Sequence, residues 1–119
     1  VSHNSVIVRR VYDEHLETDG SRVLVDRIWP RGLSKKDAHL DQWCKQVAPS
    51  TELRKWYDHV PERFDEFATR YREELGGPEH TIALQHLREL AEKTTLTLLT
   101  ATKHPEISEA AVLATLLQG

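Results

Sequence analysis

A single cysteine, Cys44, no methionine, and only five glycines and five prolines narrow the chemistries open to this chain of 119 residues. One thiol can close neither an internal disulfide nor a structural zinc cluster, so the disulfide-stapled class of small secreted domains is excluded and a reducing, cytoplasmic setting is expected. The shortage of glycine and proline excludes collagen-like and low-complexity chains. No apolar run approaches the roughly 18 residues a membrane helix needs, and Val1 to Ser5 are polar rather than basic and then apolar. Neither a membrane span nor a secretory leader is therefore expected. Sixteen basic against nineteen acidic residues leave a net charge of −3, which argues against a chain-wide grip on nucleic acid or anionic lipid. Any anion site must be local.

What is present is the composition of an ordinary folded domain, 39% hydrophobic and 29% charged, and the length suits one domain spanning residues 1–119. Ser5 to Tyr12 is short and rich in β-branched residues, which predicts a strand, and Asp19-Gly20 signals a turn before a second strand over about Arg22 to Ile28. The eight polar residues between them are fewer than the ~10 to 12 of a parallel crossover. These strands are expected to be antiparallel neighbours, with no direct pairing as the alternative. Ser34 can cap a short helix that has Asp37 in its first turn, and Ser50 can cap one running to about Tyr57. Leu40 to Val47 fits either a helix or a strand.

Pro61 to Leu75 carries an apolar stripe of Phe64, Phe67, Ala68, Tyr71 and Leu75, stopped by Gly76-Gly77-Pro78, and reads as a core-facing helix. Another helix is expected over His80 to Lys93, a strand over Thr95 to Thr100, and a last helix, apolar almost all round, over Ser108 to Gln118. The order predicts an α/β fold: a single compact domain with a small, mainly parallel sheet flanked by helices in three layers.

The informative stretch is LVDRIWPRGLSKKD, Leu24 to Asp37. Asp26 interrupts an apolar strand, and a buried carboxylate needs a partner, for which Arg10 and Arg27 are the candidates. From Arg22 to Lys36 there are five basic residues (Arg22, Arg27, Arg31, Lys35 and Lys36) and one acid, an asymmetry that fits an anion site. Arg31 offers a bidentate fork, Gly32 lets backbone N–H groups approach a ligand, and the helix start at Ser34 adds unpaired N–H groups. Ligands of open α/β sheets sit beyond the carboxyl ends of the strands. Thr100, Thr102 and Lys103 would therefore support the same site if the two loops share a sheet edge. Arg54 could join it.

No Walker or dinucleotide fingerprint occurs, so the cofactor stays unassigned. The seven histidines show no close pairing for a metal, and Cys44 reads as a small hydrophobe.

At these residues the chain resembles the YeaO-like family of small bacterial proteins. The resemblance runs through RRVYD (9–13), DGSRVLVDRIWPRGLSK (19–35), LDQW (40–43), APSTELRKW (48–56) and LTLLTATK (96–103), with DRIWPRG as the specific part. It implies a compact α/β domain in a bacterial cytosol, no established reaction, and signature positions at Arg10, Asp26, Arg27, Trp29, Pro30, Arg31, Gly32, Pro49, Ser50 and Arg54. Where the family tends to show His-Asn before the last helix, Ile107-Ser108 stand here.

The favoured expectation is a protein that binds a small phosphate or carboxylate through Arg10, Arg27, Trp29, Arg31, Gly32, Arg54 and Lys103, with Asp26 orienting an arginine and catalysis left open. Asp26 beside arginines would be a poor general base near neutral pH. The alternative is a non-catalytic interaction domain presenting Trp29, Trp56 and arginines to an unidentified protein partner. A nucleic-acid reader ranks last, for want of a basic recognition helix.

Overall fold

The computed structural model describes residues 5–118; the polar start read at Val1 to Asn4 lies outside them. Four strands form one sheet in the order β1-β4-β2-β3, where β1 is Val6–Arg10, β2 Ser21–Leu24, β3 Gln42–Trp43 and β4 Leu96–Thr100. Every pairing is parallel. The late strand β4 is buried at all five positions, as its apolar sequence dictates, and takes the centre. Leu98 pairs with Val8 on one side and with Val23 on the other.

The expected antiparallel pairing of the first two strands is therefore corrected. β4 lies between them, so the alternative of no direct pairing holds. Residues 11–20 can make the crossover without an α-helix because ten residues reach about 33 Å. The path back needs only about 17 Å along a five-residue strand and ~10 Å sideways. Gly20 ends this link at φ 65°, where a Cβ would stand 2.1 Å from the Thr95 carbonyl oxygen, so no other residue fits. β2 is shorter than its apolar run: pairing stops at Leu24, although Val25 still donates to the Leu99 carbonyl at 3.1 Å. In the ambiguous segment 40–47, β3 is followed by a 3-10 turn, Lys45–Val47.

The helices are α1 (Lys35–Ala38), α2 (Thr51–Tyr57), α3 (Phe64–Leu75), α4 (Pro78–Lys93) and α5 (Glu109–Gln118). Pro61–Arg63 forms a 3-10 turn ahead of α3. Ser50 caps α2 through the Leu53 N–H at 3.1 Å and is itself held by Glu74 near the end of α3. The predicted stripe of α3 buries Phe67, Ala68, Tyr71 and Leu75, and the Tyr71 hydroxyl reaches the Val47 carbonyl. One face of the sheet packs Val23, Val25, Leu96 and Leu98 against residues of α2 to α5. The other packs Val11, Leu24 and Leu99 under Trp29, Leu33, Leu40 and Trp43. That second cover is loop chain with the single turn α1, rather than a full third layer of helices.

On this second face the ends of two strands are joined by an ion-pair cluster. Asp19, 2% exposed, accepts from Arg22 at 2.5 Å and from Arg9 at 2.8 Å. Arg22, 1% exposed, also donates to the His39 and Ala38 carbonyls. Burial opposes ionisation of Asp19, but hydrogen bonds from the Leu16 N–H and the two arginines outweigh it and lower its pKa. The stability this supplies is present above the ordinary aspartate value near ~3.9 and is lost as pH falls through the lower folded value. Asp19→Asn leaves a buried guanidinium without its counter-charge. We expect it to cost about 3–5 kcal/mol in urea unfolding at neutral pH. A loss of under ~1 kcal/mol would show that the pair is solvent-screened.

Candidate functional site

Because β2 and β4 are parallel neighbours, the loops that leave them emerge at the same sheet edge. Asp26, two residues past β2, crosses to the end of β4. One carboxylate oxygen accepts from the Thr100 hydroxyl and the other from the Ala101 N–H, both at 2.8 Å. The expected arginine partner is thus replaced by a hydroxyl and an amide. The support assigned to Thr100 is found, but through Asp26.

A second carboxyl group, not singled out in the sequence, meets Asp26 at this point. Glu109, the first residue of α5, stands beside the Asp26 carboxyl and lines the same cavity. Burial first, and then the adjoining Asp26 carboxylate, push the Glu109 carboxyl well above the usual range of a glutamic acid.

Above this pair opens a cavity of about 310 Å³ lined by Asp26, Glu109, Phe67 and Ala101 toward the interior. Arg27, Ile28, Arg31, Arg54, His59 and Tyr12, all exposed residues, stand toward solvent. Trp29, Pro30 and Pro49 complete the walls. The Asp26–Gly32 loop is braced at several points. The Trp43 indole N–H donates to the Asp26 carbonyl and that of Trp29 to the Leu33 carbonyl, both at 2.7 Å. The two rings meet edge to face, 5.3 Å between centroids. Tyr12 donates its hydroxyl to the Arg31 carbonyl at 2.9 Å. Gly32 has φ 73° and open space where a Cβ would stand. Its role is the left-handed turn, not the close approach to a ligand expected of it, and it does not line the cavity.

The basic residues divide by what holds them. Arg22 belongs to the buried ion pair. Arg10 donates to the Thr102 carbonyl at 3.0 Å, lies over the Tyr12 ring and stands outside the cavity. Arg27 lines the cavity but is tied by Nε and Nη2 to the Pro49 carbonyl at 3.2 and 3.1 Å. Lys103 is exposed and, like Lys35 and Lys36, does not line it. Arg31 and Arg54 do line it, and among the described residues neither guanidinium forms an ion pair. Of the eight expected ligand residues, Asp26, Arg27, Trp29, Arg31 and Arg54 are thus brought together, and Arg10, Gly32 and Lys103 are not.

Glu109, Tyr12, His59 and the second use of Phe67 escaped the sequence. Only Glu109 left a signal, an acid heading a helix otherwise apolar almost all round. His59 reaches the rim because Asp58 and His59, at φ 45° and 55°, turn the chain sharply after α2.

The other candidates fall away. Cys44 is buried, and burial pushes its thiol up, away from the reactive thiolate. Trp56 lies under Arg63 and Arg70 and packs in a different cluster from Trp29, so the two do not form one binding patch. Among the described residues, no cluster of three or more His, Cys, Asp or Glu is placed to hold a metal ion. No helix is long and apolar enough to cross a membrane.

A proton retained by Glu109 in the folded chain has a definite signature. Its contribution to stability is intact below the ordinary glutamate value near ~4.3 and is lost progressively as pH rises toward the raised folded value. Glu109→Gln cannot ionise. As pH rises above about 5, wild-type stability measured by urea unfolding should fall relative to the variant by up to ~1.4 kcal/mol per pH unit. A constant difference would mean that Glu109 ionises normally.

Comparison with known proteins gives sequence matches over nearly the whole chain. The family described as "Inactive DUF488-N3 subclade" matches residues 5–119. An uncharacterized protein of Mycobacterium tuberculosis is 55% identical over 119 residues, covering all of this chain and 98% of its own. The uncharacterized protein YeaO of Escherichia coli is 42% identical over 111 residues, 93% of this chain and 95% of its own. No solved structure gives a significant match. The chain belongs to the inactive DUF488-N3 subclade and is YeaO-like along nearly its whole length.

Proposed function

We propose that the cavity beyond the carboxyl ends of β2 and β4 binds a small anion, a phosphate or carboxylate, held by Arg31 and Arg54 with help from the spare donors of Arg27. One observation carries this reading: two guanidinium groups line the same cavity and, among the described residues, form no ion pair, while Arg9, Arg10 and Arg22 are held elsewhere by protein groups. A bidentate guanidinium fork suits such an anion. The raised pKa of Glu109 favours it further, because it lessens the negative charge placed beside the three guanidiniums around the cavity.

The description of the family as inactive favours binding over catalysis. A cytoplasmic setting, proposed from the single cysteine, is consistent with a metabolite of this kind.

Thermal unfolding with phosphate, pyrophosphate and simple carboxylates at two ionic strengths tests the proposal. An anion at one hundred times its Kd should stabilise the wild type by about 2.7 kcal/mol at both salts. Arg31→Ala and Arg54→Ala should each lose that shift while unfolding normally without ligand. Lys103→Ala, outside the cavity, should keep it. Absence of any shift in the wild type, or an equal shift in Arg31→Ala, would overturn the assignment.

A further inference from the structure

The cavity is not an anion site throughout. Its outer rim carries Arg27, Arg31 and Arg54, but its inner end carries the Asp26–Glu109 pair, and between them stand aromatic and apolar side chains: Tyr12, Trp29, Phe67, Pro30 and Pro49. A bare phosphate would meet only the rim. The inner pair would repel a second anion, and the surrounding guanidiniums disfavour an ammonium. What remains is a neutral group. The Asp26 oxygens accept from the Thr100 hydroxyl and the Ala101 N–H and keep further acceptor capacity, and the Glu109 carboxyl on the same cavity wall can accept when ionised and donate when protonated. An edge that both donates and accepts answers this arrangement: an N–H beside a C=O or C=N, as in a planar amide or amidine. Flat rings bearing such an edge also suit the aromatic walls.

We infer that the ligand is a single molecule joining an anionic group to a planar nitrogen heterocycle, the class to which nucleoside monophosphates belong, with the anion at Arg31 and Arg54 and the heterocycle edge at Asp26 and Glu109. This rests on the anion-site reading above and specifies its other end. The volume of about 310 Å³ is at the lower limit of the ~300–1,000 Å³ typical of small-molecule pockets, which suits one nucleotide rather than two. Trp29 is fixed for stacking because its N–H is already committed to the Leu33 carbonyl and its ring is set edge to face on Trp43.

Calorimetric titration of the full chain with AMP, GMP, CMP and UMP, with ribose 5-phosphate and with adenosine separates the two ends. At least one nucleotide should bind tenfold or more tightly than ribose 5-phosphate, and adenosine should bind more weakly than AMP. Glu109→Ala should erase the preference for the nucleotide over ribose 5-phosphate, with far-UV circular dichroism reporting that the variant is folded. Should that variant not fold, the wild-type comparison of nucleotides with ribose 5-phosphate decides alone. Equal affinity for all four nucleotides and ribose 5-phosphate would overturn the heterocycle and leave the anion site standing. Adenosine binding as tightly as AMP, or no binding by any phosphate in the set, would overturn both.

Discussion

One carboxylate joins the two loops around which the candidate site is built. Asp26 leaves β2 just after its pairing ends and is fixed to the Thr100 hydroxyl and the Ala101 N–H at the end of β4. That attachment sets where the Asp26–Gly32 loop begins. The two tryptophan N–H groups and the Tyr12 hydroxyl then hold its carbonyls in place. The same carboxylate receives Glu109 from α5, so the helical layer and the sheet meet at this point. An unpaired carboxylate in such a place costs several kcal/mol. The Thr100 hydroxyl and the Ala101 N–H make it tolerable, and with Glu109 it gives the cavity a polar inner end.

The arginines show how a charge pattern divides between structure and binding. Guanidiniums serve the fold where carbonyls or a carboxylate can take their five donors in a fixed geometry, as at Arg22, Arg10 and Arg27. Among the described residues, Arg31 and Arg54 have no such receivers. They come from different elements, the loop after β2 and the helix α2, and they line a common space because α2 is anchored at Ser50 to α3. Clustering in the sequence was therefore a poor guide to the site, and convergence in space a good one.

The helices and the last strand were legible because each carries its own local signal: the α3 stripe, the Ser50 cap and the apolar run of β4. Strand order was not, since it depends on which partner best covers a strand. The most apolar strand takes the centre and separates β1 from β2 even though only ten residues connect them. The site was half legible. The DRIWPRG loop stands out by composition, which pointed to Asp26, Arg27, Trp29 and Arg31. The mistaken partner of Asp26 came from pairing charge with charge when neutral donors at a neighbouring strand end were nearer. Glu109 and His59 lie 83 and 33 residues from Asp26 and only tertiary packing brings them to it.

The account turns on the Glu109 carboxyl held beside Asp26 at the inner end of the cavity. Its most direct test is the pH titration of the side-chain carboxyl carbons by NMR on ¹³C-labelled protein, with Glu109→Gln to assign the resonance. The Glu109 carboxyl should titrate above the ~4.3 of an ordinary glutamic acid. A Glu109 resonance that titrates near ~4.3 would contradict its burial beside the Asp26 carboxyl and, with it, the inner end of the cavity as described.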